Sequence, residues 1–496
     1  AAIIFMAIAT AAALYEWRAK HAAAAAPQIK SIAVLPLKPL EPGEDYLGIG
    51  IADAVIRRIS QTGQLTVRPT SAVLSIKADT DSLTAARQLG ADAILEGTIQ
   101  HAGDRLRVTV NLLRTSDGTS LYTDNFDLTP ADIFSIEDKV SQQVASRLQV
   151  TFNSGQPREL RTQYPTDPRA YELYIRGVTS LDERGYDIEA LAQMQTTIDL
   201  FKQSIAIDPN YALSHSKLAF AYAWTATSIE PSNPQWFNLA REQIQEAEAL
   251  DPNVAETHFA RGYMLWTAAE GYQTEAALRE LQLAKQLNPN ICSPDLPAIL
   301  AHAGLEDLAS HELQRALEID PTNQSLKDLK LILPFLRGDA DAWFRARKNS
   351  PSGFERVEPW YYLRKGLLDD AEKAINERLR KAPDESDLLF KQALLLALRG
   401  RDSQAEARVP DLLAAIQPNS LRRHHATYDA ACIYALAGDG KTAVKWLKET
   451  ANTGFPNYPL FERDPFLNRI RQRPEFIQFM TDQKAHWEKL RVELGP

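Results

Sequence analysis

The chain has 496 residues, more than one ordinary domain holds, so two or more domains or a repeat array are expected. Hydrophobic residues make up 45% and charged residues 24%, which is typical of a folded protein, and the formal net charge of −9 argues against a nucleic-acid-binding surface. The two cysteines, Cys292 and Cys432, are too few and too far apart for a disulfide framework or a metal signature, and we expect them to be free and buried.

The opening residues 1–21 predict a membrane helix. Residues 1–15 are almost wholly apolar, and Trp17, Arg18 and Lys20, which suit a membrane interface, follow them. Fifteen apolar residues are fewer than the roughly 20 that cross a bilayer, and no initiator Met is present. We therefore interpret the segment as a transmembrane helix whose beginning has been removed. A signal peptide is the alternative.

Residues 22–30 read as a linker, and residues 31–152 predict a small α/β domain. Apolar runs and helical spacing give the element order β-α-β-α-β-β-β-α. The stretches are SIAVLPL (31–37), YLGIGIADAVIRRIS (46–60), LTVRPTSAV (65–73), SLTAARQLG (82–90), three strands within residues 91–127, and DIFSIEDKVSQQVASRLQV (132–150).

Gly48 and Gly50 raise the possibility of a dinucleotide-binding loop. Asp53 stands where such a loop needs a third small residue, and the first glycine comes too far after the strand for a tight turn. We therefore interpret the glycines as positions that cap the helix and leave room for it to pack.

The quoted stretches closely resemble a TolB amino-terminal-like domain over nearly all of residues 31–150. The resemblance implies a domain that is not catalytic. It also implies a single transmembrane helix before the domain and tetratricopeptide repeats after it.

Proline marks a repeat over residues 165–453. Successive helix-ending prolines are separated by 43, 37, 32, 30, 32 and 35 residues, close to the length of a tetratricopeptide repeat of about 34 residues. Proline ends a helix because it disfavours the α conformation of the preceding residue. The prolines are Pro209, Pro252, Pro289, Pro321, Pro351, Pro383 and Pro418.

Two repeats depart from the pattern. Pro297 and Pro334 fall inside predicted first helices, and Trp343 occupies a position that is normally small. We expect these helices to be shortened and the superhelix to kink between residues 290 and 350.

The stretch ALAGDGKTAVKWL (435–447) looks at first like a phosphate-binding loop. Such a loop must follow a strand, whereas Ala435 lies in a helix of the repeat register, and Asp439 would place a carboxylate where phosphate should bind. We interpret the stretch as the turn between two helices, with Lys441 early in the second.

Residues 454–496 predict a C-terminal cap. The part from 454 to 480 is rich in proline and aromatic residues, and it can cover the apolar face that the last repeat would otherwise expose. The alternative is an aromatic ligand-binding patch.

The sequence predicts no catalytic, cofactor-binding or metal-binding residues and no enzyme activity. The histidines lack HExxH spacing, and the adjacent His424 and His425 are interpreted as a solvated pair whose rings point apart. His302 and His311 straddle a turn with no cysteine nearby. No GxSxG or kinase signature is present.

Repeat arrays bind peptides or helices along a concave groove, so we expect a protein or peptide partner. By analogy with other arrays, the predicted groove residues lie on first helices, and core packing is the alternative for each aromatic residue. They are Tyr171, Tyr174, His215, Tyr222, His258 and Arg261.

The expected fold is α/β plus all-α: a TolB-like domain followed by a tetratricopeptide-repeat α-superhelix, with an N-terminal transmembrane helix. This arrangement resembles the CadC type of regulator, in which a winged-helix DNA-binding domain precedes one membrane span and a sensory outer domain. The resemblance implies the sensory part of a single-pass regulator in a bacterial inner membrane, with residues 22–496 periplasmic. DNA would then be bound through an upstream domain and not through this fragment. The alternatives are the periplasmic part of a receptor Ser/Thr kinase or nucleotide cyclase, or a stand-alone envelope scaffold.

Overall fold

The computed structural model describes residues 29–41, 45–77, 79–102, 105–128, 133–148, 165–182, 189–347, 358–418, 420 and 422–495. The predicted membrane helix at residues 1–21 lies outside them. Among the described residues, no helix has both the length and the apolar character that a membrane crossing requires. The chain forms a small α/β region followed by a mostly helical, tetratricopeptide-like superhelix.

The α/β region contains the eight elements that the sequence predicts, in the predicted order, with two short elements besides. Its strands are β1 (Ser31–Val34), β2 (Lys38–Pro39), β3 (Thr66–Val67), β4 (Ala93–Ala102), β5 (Arg105–Arg114) and β6 (Ser120–Leu128). Its helices are α1 (Asp45–Ser60), α2 (Thr70–Leu74), α3 (Ser82–Gln88) and α4 (Ile133–Arg147).

The strands form one mixed sheet in the order β3-β1-β4-β5-β6, with β2 paired beside β4. Strand β1 runs parallel to β3 and β4, whereas β4, β5 and β6 form an antiparallel meander. Leu106, Val108, Val110 and Leu112 of β5 are all buried, as their alternation with polar residues indicates.

One predicted strand was partly wrong. The stretch 65–73 pairs with β1 only at Thr66 and Val67, and helix α2 begins at Thr70. Pro69 is the reason, because it has no N–H to donate to a strand partner and its own extended backbone makes it the N-cap residue of α2.

Gly48 and Gly50 lie inside α1 and not in a turn before it, so they do not form a dinucleotide loop. A Cβ on Gly48 would lie 1.9 Å from the carbonyl oxygen of Leu37. The glycine therefore allows α1 to approach the chain after β1, where the Leu37 N–H donates to the Gly48 carbonyl at 3.2 Å.

Eight helix hairpins follow in the described part of the chain. We number them from the amino-terminal end: α5 (Pro168–Asp182) with α6 (Glu189–Ile207); α7 (Ala212–Trp224) with α8 (Gln235–Leu250); α9 (Ala255–Leu265) with α10 (Thr274–Leu287); α11 (Asp295–His302) with α12 (Glu306–Ile319); α13 (Gln324–Leu336) with α14 (Ala340–Arg347); α15 (Glu358–Arg364) with α16 (Leu368–Leu379); α17 (Ser386–Leu398) with α18 (Asp402–Ala414); and α19 (Arg423–Ala437) with α20 (Gly440–Asn452).

The stretch that looks like a phosphate-binding loop is the turn of the eighth hairpin, as predicted. Helix α19 ends at Ala437, and Gly438 follows with a φ of 88°, a left-handed conformation that few other residues adopt. The Asp439 carboxylate then accepts a hydrogen bond of 3.0 Å from the Thr442 N–H and caps α20.

The irregular repeats follow the prediction in part. Helix α11, which contains Pro297, has only 8 residues, whereas α13 has 13 residues despite Pro334, so the expected shortening of α13 was wrong. Pro334 lies in the last turn of α13, two residues before the helix ends at Leu336. Trp343 is 1% exposed, so the fifth hairpin accommodates a large side chain in its core.

The C-terminal segment comprises α21 (Tyr458–Arg463), a 3₁₀ helix (Pro465–Ile470) and α22 (Pro474–Leu494). Helix α22 packs on α20, as expected of a cap. The segment also returns to the middle of the array. The Asn457 side-chain amide donates to the carbonyl oxygen of Ala301 at 3.0 Å, and the Trp487 indole N–H donates to that of Gly304 at 2.9 Å. The C-terminal segment therefore joins the eighth hairpin to the fourth.

Candidate partner-binding groove

The α/β region docks against the first helix of the array. The Tyr171 hydroxyl on α5 donates a hydrogen bond of 2.7 Å to the carbonyl oxygen of Gly50 on α1. A Cβ on residue 50 would lie 2.6 Å from the Tyr171 ring, so glycine is needed for this approach. The second glycine of the dinucleotide-like pattern therefore serves domain docking.

Two further contacts join the α/β region to later hairpins. The Asn290 side-chain amide donates to the Val67 carbonyl at 2.8 Å and to the Ser60 hydroxyl at 3.1 Å. The Arg68 guanidinium donates to the carbonyl of Ile319 at 3.0 Å, at the end of α12. Burial lowers the pKa of Arg68, and Asp320 and Asp92 oppose that shift. A cation at a helix C-terminus is favoured because unpaired carbonyls point outward there.

Two adjoining cavities lie between the docked region and the first helices of the second and third hairpins. Their volumes are about 210 and 450 Å³. We define the interdomain groove by the six residues that line both: Ser71, Lys217, Glu256, Phe259, Cys292 and Ser293. Because Ser71 belongs to α2 and the others belong to the array, an occupant of this groove would contact both parts of the chain.

The interdomain groove combines opposite charges with an aromatic surface. Lys217 on α7 and Glu256 on α9 are both half-buried. Phe259 on α9 is half-buried too, and its ring centroid lies 5.3 Å from that of the buried Phe220. Such a site can pair with charged groups of both signs and with one apolar group of a ligand.

The three predicted groove tyrosines are buried. Tyr171 is 4% exposed and holds α1, as described above. Tyr174 lines the smaller cavity and packs edge-on against Tyr211, with a centroid distance of 5.1 Å. Tyr222 is 4% exposed and packs on Trp236. Their partner-binding role stays a prediction, while their observed contacts are within the chain.

The two predicted groove histidines occupy the same register in successive hairpins. His215 Nε2 lies 3.0 Å from the Pro209 carbonyl oxygen, and His258 Nε2 lies 2.9 Å from that of Pro252. Each histidine thus ties its first helix to the turn six residues earlier. The second ring nitrogen of His258 faces Glu280 at 2.7 Å.

Arg261 keeps an exposed side chain, with a relative accessibility of 37%. It forms ion pairs with Glu248 at 2.5 Å and Glu280 at 3.8 Å.

Sequence reasoning missed the groove residues that the structure identifies. Lys217, Glu256 and Phe259 lie on first helices, as the predicted set does, but α1 and α2 decide which turns of those helices face the groove. No local pattern distinguishes them, because the covering surface lies far earlier in the sequence. Cys292 is half-buried in the groove and Cys432 is buried, so the predicted burial is confirmed only for Cys432.

The interpretation of His424 and His425 as a solvated pair was wrong. His424 is 1% exposed, and the two rings lie 4.5 Å apart between centroids. His302, on the fourth hairpin, lies against both. Burial lowers the pKa of His302 to about 4 and lowers the pKa values of His424 and His425 well below that of ordinary histidine. The prediction failed because hairpin 4 and the C-terminal segment enclose the start of α19.

A buried ionic network lies beside these histidines. The Arg364 guanidinium pairs with the Asp464 carboxylate, which also accepts a hydrogen bond from the Tyr428 hydroxyl. Burial, reinforced by Asp464, raises the pKa of Tyr428 well above its ordinary value. Lys391 and Asp429 form a second pair nearby. Removing one member of such a pair is destabilising, because it leaves a charge without a partner in the interior.

Comparison with known proteins connects the α/β region to transcriptional regulators. Residues 28–146 match the family described as HilA/YgeH-like transcriptional regulator, second domain. The match covers the α/β region and not the repeats.

A curated relative from Rhizobium meliloti (strain 1021), named "Putative adenylate cyclase 3", is 27% identical over 228 residues. The matched part is 44% of this chain and 38% of the relative. The chain therefore spans well under two thirds of that relative's length.

Among solved structures, yeast Tom70 aligns over 88% of this chain and 85% of its own, with 14% identity and a TM-score of 0.33. A tetratricopeptide repeat protein from Parabacteroides merdae ATCC 43184 aligns over 61% of this chain and 99% of its own, with 13% identity and a TM-score of 0.25. The P58(IPK) TPR domain aligns over 65% of this chain and 98% of its own, with 11% identity and a TM-score of 0.18. The chain thus joins a region similar to a transcriptional-regulator domain to a superhelix of helix hairpins.

Proposed function

We propose that this chain is the non-catalytic, protein-binding part of a bacterial signalling regulator, and that the regulator acts on transcription. The interdomain groove is the observation that carries the proposal. It places a region similar to a transcriptional-regulator domain and a protein-binding superhelix against one shared cavity.

The groove offers a physical route for a signal. A ligand shifts a conformational equilibrium only when it interacts differently with the two states. A peptide in the interdomain groove would contact Ser71 on α2 and Phe259 on α9 together, so its binding depends on how the α/β region is docked. The signal would then be a change in the strength or orientation of this docking.

The groove also indicates the chemistry of the partner. A cavity of about 450 Å³ suits a short extended segment better than a whole helix, which is about 10 Å across. Lys217 favours an acidic side chain, Glu256 a basic one, and Phe259 an apolar one. We therefore propose an extended protein segment that carries both charge signs beside an apolar residue.

The setting proposed for this regulator is the bacterial inner membrane, with one span near residue 1 and the described residues on the periplasmic side. The support is the apolar opening of the sequence followed by Trp17, Arg18 and Lys20. The TolB-like and CadC-like resemblances belong to the same proposal.

Charge reversal in the native gene tests the groove. Deletion of the gene should alter the levels of a set of transcripts. Lys217→Glu and Glu256→Lys should each alter the same transcripts, because each replaces a favourable charge contact with a repulsive one. Lys202→Glu and Glu246→Lys are matched controls, since both residues are exposed on second helices. Circular dichroism of the purified variants checks their folding. Unchanged transcription in both folded groove variants would contradict the proposal.

A photocrosslinking amino acid at position 259 tests the partner directly. In living cells it should capture one protein segment, which mass spectrometry identifies, whereas the same amino acid at exposed position 202 should not capture it. Capture of the same segment at both positions would show that the interdomain groove is not the binding site.

Control of a nucleotide cyclase is a second candidate, which the match to the Rhizobium meliloti protein favours. The same groove variants distinguish this candidate from the first one. If the chain controls a cyclase, the level of cyclic AMP in the cells should fall or rise before transcription changes. A phosphorylation change would instead favour a receptor kinase, and no change in any of these outputs would favour an envelope scaffold.

A further inference from the structure

Three histidine rings meet at the junction between the fourth and eighth hairpins. One imidazole nitrogen from each of His302, His424 and His425 lies within 4.8 Å of the others. The ring centroids are 5.0 Å apart for His302 and His424 and 5.3 Å apart for His302 and His425. The cluster shares no residue with the interdomain groove.

The closest pair has the spacing of two ligands on one metal ion. His302 Nε2 and His425 Nε2 are 3.4 Å apart. In a tetrahedral zinc site with Zn–N bonds of about 2.0–2.1 Å, neighbouring ligand nitrogens lie about 3.4 Å apart. The third ring, His424, offers a nitrogen within 4.8 Å of these two, so that ring would have to move inward to reach the same ion.

The outer nitrogens of two rings are already held by backbone carbonyls. His302 Nδ1 donates to the Ala298 oxygen at 2.7 Å, and His424 Nδ1 donates to the Thr453 oxygen at 2.8 Å. A carbonyl only accepts hydrogen bonds, so each Nδ1 carries the proton and Nε2 of the neutral ring carries the lone pair. Metal-binding histidines are usually oriented in this way by a carbonyl or carboxylate behind them.

The geometry points to a divalent transition-metal site formed by His302, His424 and His425, with Zn²⁺ as the fitting ion. Three imidazoles favour zinc and its neighbours over Mg²⁺ or Ca²⁺, which prefer oxygen ligands. A water molecule would supply the fourth ligand of such a site. Trp266 and Phe455 pack against the rings and shield the site.

Metal binding would close the superhelix. His302 and His425 are 123 residues apart in the chain, so one ion would fix a long loop at its two ends. Ions that bind only the folded chain stabilise it by an amount that grows with the logarithm of the free ion concentration above the Kd. The site would therefore strengthen the closure that Asn457 and Trp487 already make near Ala301 and Gly304.

The test uses the full chain, purified without a polyhistidine tag and stripped with a chelator. Zn²⁺ should bind at one equivalent and raise the melting temperature. Co²⁺ should give the visible absorption band of a tetrahedral complex. X-ray absorption of the zinc form should show three imidazole nitrogens and one further light atom at about 2.0–2.1 Å.

Variants connect the binding to these residues. His302→Ala and His425→Ala should each weaken zinc binding at least about tenfold, the loss that removing an outer hydrogen-bond partner alone can produce. His311→Ala is the matched control, because His311 is an exposed histidine on the adjacent α12. It should bind zinc and gain melting temperature as the wild type does.

Three outcomes would overturn the proposal. The first is no tetrahedral Co²⁺ band in the wild type, which needs no variant and so does not depend on mutant folding. The second is zinc binding that His302→Ala and His425→Ala leave unchanged. The third is equal loss of binding in His311→Ala. The cluster would then be a packed aromatic junction.

Discussion

Tyr171 occupies the space that a side chain on Gly50 would need, and it donates a hydrogen bond to the Gly50 carbonyl at 2.7 Å. This contact is one of those that join the two parts, beside the hydrogen bonds of Asn290 and Arg68. The same contact that positions the interdomain groove also excludes every larger residue at position 50.

Gly50→Ala should destabilise the full chain by about 1–3 kcal/mol, the usual cost of overpacking. In a Tyr171→Ala background the sign should reverse, because alanine is favoured over glycine inside a helix by about 1 kcal/mol once the ring is gone. Urea unfolding of the four proteins in this double-mutant cycle measures the coupling. Equal effects in both backgrounds would show that the ring does not restrict position 50.

Asp464→Asn should destabilise the chain by about 3–5 kcal/mol, because it leaves the buried Arg364 guanidinium without an opposite charge. Asp482→Asn is the matched control, since Asp482 is exposed on α22, and it should change stability by less than about 0.5 kcal/mol. Denaturant unfolding compares them. A loss below about 1 kcal/mol for Asp464→Asn would mean that the network contributes little.

His258 should stabilise the chain more at low pH than at high pH. Its hydrogen bond with Glu280 raises its pKa, burial opposes the shift, and Pro252 and Glu248 add to it. A raised folded-state pKa gives stability that is fully present below the unfolded value of about 6.5 and is lost as pH rises through the folded value. The difference in unfolding free energy between wild type and His258→Gln should therefore be larger at pH 5.5 than at pH 8.5.

Glu280→Gln provides the control for this pH effect, because it removes the partner and keeps the histidine. In a Glu280→Gln background, the extra unfolding free energy that His258 contributes at pH 5.5 relative to pH 8.5 should be smaller. If the wild type and both variants show parallel stability profiles, the His258–Glu280 pair carries no pH-dependent stability.

Asp439→Ala should cost about 1 kcal/mol through loss of the cap on α20. Lys441→Ala should change stability by less than about 0.5 kcal/mol, because Lys441 is exposed in the first turn of α20. A fluorescent ATP analogue should bind neither the wild type nor these variants. Nucleotide binding that Lys441→Ala abolishes would restore the phosphate-loop interpretation.

The features that sequence reasoning predicted well depend on neighbouring residues. The turn at Gly438 follows from a left-handed glycine and a capping aspartate within two residues of each other. The alternation along β5 follows from the two faces of a strand. The strand predicted over residues 65–73 was wrong in its second half for a local reason as well, because Pro69 ends it and an apolar run alone does not distinguish a strand from a short helix.

The groove and the histidine cluster could not be predicted in this way. Tyr174 and Phe259 occupy similar first-helix positions, yet one is buried and the other half-buried in the groove, because α1 and α2 cover the array unevenly. His424 looked solvated because nothing adjacent to it indicated that His302 would pack on it.

The sequence by itself determined the hairpins and the order of the α/β elements, since helix ends, caps and alternating faces are decided by residues a few positions apart. Only the tertiary structure decided which surfaces meet. The curvature of a repeat array is the sum of small rotations at every repeat, so the meeting of hairpins 4 and 8 is a property of the whole stack. That sum places His302 beside His425. Docking of α1 on the first hairpin places Tyr171 beside Gly50.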